Sequence, residues 1–337
     1  MTPLEQVDLR PFNTLALPAR ARYFARVENA AELPGLIHWA RARSLPLMVL
    51  GGGSNVVLQG EWPGLALQMA MRGRRIERVR GGARVHVAAG EVWHELVQWC
   101  LAERLHGLEN LTLIPGTVGA APIQNIGAYG VELADRLHSV RGCSLDQERE
   151  LELSAADCRL GYRDSIFKHA LRDRFYITEV TLNLSDEFLP VLGYPGISSA
   201  LEGNPEPGAE QVERAVRSLR QSKLPDPATL PNAGSFFKNP VIDAELFARL
   251  RERYPDMPSF PAPDGIKVPA AWLVDRCGWK GRRLGSVGVH AQQALVLIHY
   301  GDGNGAELLA LARDIAADVR ERFGIALELE PTVYGTP

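Results

Sequence analysis

The chain has 337 residues, of which 46% are hydrophobic and 23% are charged, with a net charge of −3 and a pI near 6.3. This length predicts two or three domains with packed cores. The charge balance excludes a general electrostatic attraction to nucleic acid or to an anionic membrane, so local groups must hold any anionic ligand.

The four cysteines are few, widely spaced and not arranged in CxxC pairs, which indicates buried thiols in a reducing compartment. The first ten residues carry acidic side chains and no apolar core, unlike a signal peptide. No apolar run approaches the roughly 18 residues that a membrane span needs. We therefore expect a soluble, cytoplasmic protein without a membrane partner.

The first half of the chain alternates short strands with two helices. Strands are predicted at Arg22–Val27, Pro46–Leu50, Val56–Leu58, Leu65–Met69, Arg78–Val79 and Arg84–Ala88. One helix begins after Asn29, with Glu32 as its capping-box partner, and a second covers Glu91–Leu105.

The second half continues this α+β pattern. Strands are predicted at Ser139–Leu145, Tyr176–Leu184, Ala294–His299 and Ile325–Leu329, and helices at Glu210–Ser222, Asp243–Arg253 and Asn304–Phe323. Residues 189–208 are rich in proline, glycine and serine, which indicates a domain junction. We predict domains at 1–188, with subdomains of about 1–65 and 66–188, and at 189–337.

Two segments rich in small residues predict a cofactor site. Gly51-Gly52-Gly53-Ser54-Asn55 lies between two strands, where consecutive glycines favour a phosphate-binding nest; a glycine-rich hairpin turn is the alternative. Pro115–Gly130 is a long, uncharged loop that would let a flat ligand lie against backbone, unless it is an ordinary surface loop. Together they suggest a dinucleotide. The predicted cofactor contacts are Gly51, Gly52, Gly53, Ser54, Asn55, Pro115, Gly116, Thr117, Gly119, Ala120, Asn125, Gly127, Ala128 and Tyr129.

The segment Asn232–Pro240 predicts a catalytic serine. Gly234 allows a positive φ and Pro240 ends a ladder, so Ser235 would stand at a tight, aromatic-walled point from which it can donate a proton. The alternative is a turn whose serine caps a helix starting near Ile242.

Several other signals point away from other protein classes. The eight histidines show no HExxH and no paired metal spacing, so we expect no metal site. No GxSxG elbow is present, which disfavours a serine hydrolase. The basic run Arg72–Arg80 is interpreted as solvated strand edges, so we expect no nucleic-acid partner.

The order of five motifs carries a family resemblance. GGGSN, PGTVGAAPIQNIGAYG, GYRDSIFK, KLPDP followed by NAGSFFKNP, and a terminal LEP together resemble the UDP-N-acetylenolpyruvoylglucosamine reductase (MurB) family over nearly the whole chain. The resemblance implies a PCMH-type FAD-binding domain of two α/β subdomains and a C-terminal α+β domain for the UDP-sugar. It also implies NADPH as reductant and a role in peptidoglycan precursor synthesis. The two loops contain neither histidine nor cysteine, so the FAD should be non-covalent.

The resemblance also assigns roles to single residues. It implies three catalytic residues, Arg163, Ser235 and Glu330. It implies substrate contacts from Arg220, Lys223, Asn239 and Gln293, and it places Tyr194 in a substrate-covering tyrosine loop, although Pro195 stands where that subgroup has glycine. We expect a monomer.

These residue types suit the implied reduction of an enolpyruvyl ether. Hydride addition to the terminal methylene leaves carbanion character beside a carboxylate, which the fork of Arg163 could stabilise by about 3–4 kcal/mol. Ser235 would then protonate the carbon, a contribution of about 10²–10⁴-fold. Glu330 could help as a neutral acid or by orienting the arginine.

The sequence leaves alternatives open. Arg163 and Asp164 could form a surface ion pair, and the alternation of Ile325–Glu330 places Glu328 and Glu330 on one face, where both could be solvated. Two other functions fit the same features: a PCMH-type flavin oxidase of a free carbohydrate, and a flavin- or nucleotide-sugar-binding regulator without catalysis.

Overall fold

The computed structural model describes residues 2–147 and 149–335. Its α-helices are α1 Leu33–Arg41, α2 Trp93–Ala102, α3 Ile197–Ala200, α4 Ala209–Lys223, α5 Ala244–Arg253, α6 Ala270–Arg276 and α7 Gly305–Phe323. Short 3₁₀ helices lie at Arg10–Phe12, Ala30–Glu32, Glu109–Leu111, Val118–Gln124, Leu133–Asp135 and Ile166–Lys168.

The strands are short, apart from β2, β4, β9 and β11. They are β1 Leu4–Asp8, β2 Ala19–Val27, β3 Leu47–Leu50, β4 Val56–Met69, β5 Arg74–Val79, β6 Gly82–Ala88, β7 Gly127–Ala128, β8 Val131–Glu132, β9 Leu137–Ser144, β10 Arg149–Ser154, β11 Phe175–Ser185, β12 Asn232–Ser235, β13 Val241–Ile242, β14 Phe260–Ala262, β15 Gly265–Lys267, β16 Arg283–Leu284, β17 Val287–Val289, β18 Val296–His299 and β19 Thr332–Gly335. The mixture confirms the α+β class.

The chain divides into two compact units. The first unit comprises Met1–Val7, Ala21–Gly53 and Trp62–Ser222, and the second comprises Asp8–Arg20, Ser54–Glu61 and Lys223–Pro337. This division differs from the predicted boundary at 188/189, because the segment after residue 188 and helix α4 share a small apolar core that includes Ile197, Leu201 and Val216. Strand β4 also runs unbroken through the predicted subdomain boundary near residue 65.

The first unit is built around an antiparallel sheet with the order β10-β9-β11-β6-β5. Strand β3 pairs in parallel with the second half of β4, Leu47 opposite Leu65 and Leu50 opposite Gln68. Helices α1 and α2 bury their apolar faces in the same core, where Trp93 is 1% exposed and donates its indole N–H to the Leu111 carbonyl at 2.9 Å. The sheet and helices thereby fix both ends of the loop that follows Leu111.

The second unit contains the sheet β12-β18-β17-β16 and the small sheet β13-β15-β14. Helix α7 packs on β17 and β18, is capped by the Asn304 side chain at its start, and ends at Gly324 with φ 70°. Strand β19 pairs in parallel with the start of β4, Thr332 opposite Val56. Phe236 and Phe237 are 0% and 1% exposed in the core, which fixes the backbone around Ser235.

Two predictions about strands need correction. Val56–Leu58 and Leu65–Met69 belong to the single strand β4, because Gly60, at φ 53°, and Pro63 are accommodated inside the strand instead of ending it. Ile325–Leu329 is not a strand. Only Leu329 forms an isolated bridge, to Phe237, and the strand of this region is β19.

Candidate active site

The two loops predicted to hold a cofactor lie against each other in the first unit. A Cβ built on Gly51 would lie 2.3 Å from the Thr117 hydroxyl oxygen, and one on Gly52 would lie 3.1 Å from the Gly116 Cα. The glycines are therefore required for the close approach of the two turns. Ser54 and Asn55, which complete the motif, belong to the second unit.

Asn125 holds the small-residue loop together. It ends the 3₁₀ helix Val118–Gln124 in the left-handed region at φ 44°, and it is 0% exposed. Its side-chain amide donates to Glu132 at 2.8 Å and to the Gly161 carbonyl at 3.0 Å, and its oxygen accepts from the Ala134 amide at 2.9 Å. The side chain predicted to contact a cofactor is thus committed to fixing the loop to the segment that carries Arg163.

Arg163 is held in a strained backbone conformation beside this loop. Its φ is 52°, which costs a non-glycine residue about 1–3 kcal/mol and is concentrated at functional sites. Its Nη2 donates to the Gly127 carbonyl at 2.8 Å, and its own carbonyl accepts from Lys168 Nζ at 3.0 Å. Asp164 contacts His169 at 2.8 Å, so its carboxylate has a partner other than Arg163.

Arg220, near the end of α4, is a second cation in the same unit, and its Nε has neither solvent access nor a hydrogen-bond partner. Burial lowers the pKa of Arg220, Tyr129 opposes this shift, and the charge of Arg163 adds to it. Within residues 2–147 and 149–335, Arg220 forms no ion pair with a carboxylate. The positive charges of Arg163 and Arg220 repel each other, an arrangement that attracts anions.

Tyr129 and Tyr194 border this cationic site. Their rings are 4.9 Å apart and inclined at 62°. Burial raises the pKa of Tyr129 and Arg220 counteracts it, so the phenol lies within electrostatic reach of the guanidinium. Asn110 donates to the Tyr129 carbonyl at 2.8 Å and to the Val191 carbonyl at 2.9 Å, which ties the predicted tyrosine loop to the small-residue loop. Tyr194 remains 45% exposed and accessible to a ligand.

Ser235 stands at the end of β12 in the second unit. Asn232 Oδ1 accepts from the Gly234 amide at 2.9 Å, and Gly234 takes φ 69°, which turns the strand at the serine. Ser235 pairs with Val296, and the next residue, Phe236, is buried. The helix-cap alternative is wrong, because α5 begins at Ala244 and is capped by Asp243.

Glu330 runs alongside the serine segment. Its amide donates to the Phe236 carbonyl at 3.0 Å, and Asn55 Nδ2 donates to its carbonyl at 3.3 Å. Glu328, two residues earlier, is 74% exposed at its side chain and pairs with Lys238 at 2.8 Å. The two glutamates, which the sequence pattern places on one face, therefore have different environments. Glu328 forms an exposed ion pair, whereas Glu330 is half-buried and lies next to the segment that carries Ser235.

The remaining predicted substrate contacts lie in or next to the second unit. Asn239 Oδ1 accepts from the Ala270 amide at 2.9 Å at the start of α6. Gln293 lies in the turn before β18, where its carbonyl accepts from Val296, the strand partner of Ser235. Lys223 is the last residue of α4 and is exposed. Sequence reasoning missed Asn110 and the Lys238–Glu328 pair, which no motif distinguishes from ordinary polar residues.

Comparisons with known proteins identify the family of the chain. Residues 226–334 match the UDP-N-acetylenolpyruvoylglucosamine reductase C-terminal domain, and residues 21–145 match an FAD binding domain. The chain is 51% identical to the UDP-N-acetylenolpyruvoylglucosamine reductase of Paraburkholderia xenovorans over 96% of its length and 95% of the relative's. It is 50% identical to that of Chromobacterium violaceum over 97% of both. The chain belongs to the UDP-N-acetylenolpyruvoylglucosamine reductase family.

A solved structure of this reductase family, MurB from Thermus caldophilus, has the same fold. It superimposes with a TM-score of 0.69 at 26% identity and covers 99% of this chain and 100% of its own. The resemblance inferred from the motifs is thereby confirmed, together with the two-part architecture of an FAD-binding domain and a reductase C-terminal domain. No helix among the residues that the structure describes has both the length and the apolar character of a membrane span.

The two loops fit FAD as the cofactor of this family. They meet where an added methyl group would collide with Thr117, so backbone and not side chains occupies this point, as a phosphate-binding nest would require. The FAD-binding match includes all of Gly51–Asn55 and Pro115–Gly130. Neither loop carries a histidine or cysteine that could bond to the flavin ring.

Proposed function

We propose that this protein reduces the enolpyruvyl ether of UDP-N-acetylglucosamine enolpyruvate to UDP-N-acetylmuramate, a step of peptidoglycan precursor synthesis, with NADPH as reductant. The observation that carries the proposal is the buried Arg220, whose Nε has no hydrogen-bond partner and whose charge is repelled by that of Arg163, beside Tyr129 and Tyr194. The substrate combines a carboxylate with a diphosphate, and these are the anionic groups that such a site requires.

The proposed chemistry divides among three side chains. Bound FAD, once reduced by NADPH, supplies the hydride for the terminal methylene. Arg163 stabilises the negative charge that then spreads from the adjacent carbon into the substrate carboxylate, a contribution of about 3–4 kcal/mol for one such group. The Ser235 hydroxyl donates its proton to that carbon and recovers one from solvent, and Glu330 orients the groups around it.

The proposed binding of the UDP-sugar uses the remaining polar residues. Arg220 and Lys223 neutralise the substrate's anionic groups, and Tyr194 covers the bound sugar nucleotide from its exposed position. Asn239 and Gln293 supply amide contacts. We further propose that the enzyme acts as a monomer in the cytoplasm, where UDP-sugars and NADPH are available.

The test is an anaerobic titration of the purified protein. We expect a yellow protein with stoichiometric flavin absorbance, bleaching by NADPH and return of the colour on addition of the enolpyruvyl sugar nucleotide. A regulator would bind the nucleotide without reoxidation, and a carbohydrate oxidase would be reduced by a free sugar. A colourless protein that takes up no FAD would disprove the cofactor assignment.

A further inference from the structure

A buried polar cluster around Glu213 on α4 is not used by the proposed chemistry. Glu213 on α4 is 3% exposed and accepts hydrogen bonds from Gln98 Nε2 at 2.8 Å and from the Thr112 hydroxyl at 2.7 Å. Arg217, one turn later, approaches the same carboxylate at 3.6 Å. We call Glu213, Gln98, Thr112, Arg217 and His94 the Glu213 cluster.

The cluster holds a strained residue at the entrance to the small-residue loop. Leu113 adopts φ 55°, a left-handed conformation that costs a leucine about 1–2 kcal/mol. His94 Nδ1 accepts from the Leu113 amide at 3.3 Å and contacts the Thr112 hydroxyl at 3.1 Å. The Thr112 hydroxyl donates to Glu213, and the Leu113 amide donates to His94. These hydrogen bonds fix two consecutive residues and thereby the direction of the backbone towards Pro115.

His94 must be neutral at Nδ1 to accept this hydrogen bond. Burial lowers the pKa of His94, the charge of Glu213 opposes this, and those of Arg217 and Arg220 reinforce it. The cluster is therefore within electrostatic reach of Arg220. His94, which has no metal-binding partner spacing in the sequence, therefore has a structural role in this cluster.

The cluster joins three segments that belong to the cofactor side and to the substrate side of the proposed site. Gln98 and His94 belong to α2, Thr112 precedes the cofactor loop, and Glu213 lies on the helix that carries Arg220. Positions 213, 217 and 220 follow the i, i+4, i+7 spacing of one helix face. Because the Glu213 carboxylate on this face is buried and accepts a hydrogen bond from Thr112, the orientation of α4 depends on that hydrogen bond.

We propose that Glu213 is a positioning residue that locks the helix bearing Arg220 to the entrance of the cofactor loop. It sets the guanidinium at Tyr129 for the anionic substrate. The inference rests on the proposed function, because it assigns Arg220 to substrate binding. Because Glu213 would act through Arg220, we expect its loss to weaken substrate binding and to leave the reduction of the flavin unaffected.

The experiment compares Glu213→Ala with Glu210→Ala in the holoenzyme. Glu210 lies on the same helix and pairs with Arg214 at 3.6 Å, the distance of the Glu213–Arg217 pair, but its side chain is 79% exposed. We expect Glu213→Ala to raise the KM for the sugar nucleotide and the Kd for UDP by about 3- to 30-fold, the range of coupling through packed polar networks. The rate of flavin bleaching by NADPH should stay within about twofold of the wild type, as for Glu210→Ala.

Two further variants keep the test decisive. If Glu213→Ala does not fold, Thr112→Val removes the same hydrogen bond in a side chain of equal shape and should raise the same KM. Glu213→Gln, which can still accept from Thr112, should restore most of the affinity. Equal KM values for Glu213→Ala and Glu210→Ala, or parallel losses in the NADPH and substrate steps, would overturn the positioning role. A wild-type protein that binds no sugar nucleotide would instead refute the proposed function.

Discussion

The amide of Glu330 donates a hydrogen bond of 3.0 Å to the carbonyl of Phe236, the residue that follows Ser235. Two residues after Phe236, Lys238 bonds to Glu328 through both its amide and its side chain. These backbone hydrogen bonds give Glu328 and Glu330, which the alternation of the sequence places on one face, different environments. It also provides a matched pair of variants.

Glu330→Gln and Glu328→Gln should separate catalysis from surface charge. We expect Glu330→Gln to lower kcat by on the order of 10²-fold, since its neighbour Ser235 is the proposed acid. Glu328→Gln should leave kcat unchanged and cost under about 1 kcal/mol in unfolding free energy, because the pair with Lys238 is exposed. Steady-state kinetics and urea titration measure both. Equal kinetic effects of the two substitutions would remove Glu330 from the mechanism.

Ser235→Ala should slow only one of the two half-reactions, the reoxidation of the flavin by substrate. The variant should bleach with NADPH at the wild-type rate, because Ser235 has no part in flavin reduction. Reoxidation by the enolpyruvyl sugar should slow by about 10²–10⁴-fold, the usual contribution of a general acid. Stopped-flow absorbance in the absence of oxygen follows each half separately. Reoxidation at an unchanged rate would show that another group protonates the carbon.

Arg220→Met should weaken substrate binding without lowering the unfolding free energy of the protein. Removing a buried cation whose Nε has no hydrogen-bond partner should be neutral or stabilising by about 1 kcal/mol or more, as when other buried charges are replaced by apolar groups. The KM for the substrate should rise by at least about tenfold, because a charge-assisted contact is lost. Arg214→Met, on an exposed part of the same helix, is the control and should change neither quantity. A destabilised variant with an unchanged KM would mean that Arg220 is structural.

Gly51→Ala should release FAD. Its φ is ordinary, so backbone strain is absent, but the new Cβ would lie 2.3 Å from the Thr117 hydroxyl and force the two turns apart. We expect a lower ratio of flavin to protein absorbance after purification and a higher Kd for added FAD. Gly35→Ala in α1 is the control: no atom lies within 4 Å of the added methyl group. That substitution should stabilise the helix by about 0.5–1 kcal/mol. Full flavin content in Gly51→Ala would show that the turns tolerate separation.

Glu91→Gln should change the response of the fold to acid. Burial would raise the pKa of Glu91, but hydrogen bonds from the Gly73 amide and Arg74 outweigh it and hold the pKa below its ordinary value of 4.5. A lowered folded-state pKa stabilises the protein above the unfolded pKa, and this contribution disappears as the pH falls through the folded one. The difference in unfolding free energy between wild type and Glu91→Gln should therefore shrink from about pH 6 to about pH 3. Urea titrations at several pH values measure it, and a constant difference would contradict the assignment.

Much of the fold was predictable because local signals agree with it. The Asn29–Glu32 capping box, the Asp243 and Asn304 helix starts and the Gly324 stop all occur where the sequence predicted them. The strand predicted at Ile325–Leu329 failed because alternation alone cannot show which backbone groups find partners. Pairing with Phe236 and Lys238 is decided by residues distant in sequence.

The site was predictable only in part, for a related reason. Glycine-rich turns and the aromatic-flanked serine are local features, so sequence reasoning found them. That Gly51 meets Thr117, or that Asn125 serves Gly161, depends on contacts between distant segments. The buried Arg220 Nε without a hydrogen-bond partner is also invisible in a sequence that has 37 basic and 40 acidic residues.

The composition of the second unit bears on how the protein is made. Its core includes Leu15, Leu17 and Val57, and Asn55 reaches Glu330 across 275 positions of the chain. A ribosome therefore exposes the early pieces long before their partners exist, and such long-range closure slows folding. A fragment that starts at Lys223 would lack both these leucines and the strand that receives β19. Inhibitor screens should accordingly use the intact polypeptide, since an isolated carboxyl-terminal half would expose apolar surface and aggregate.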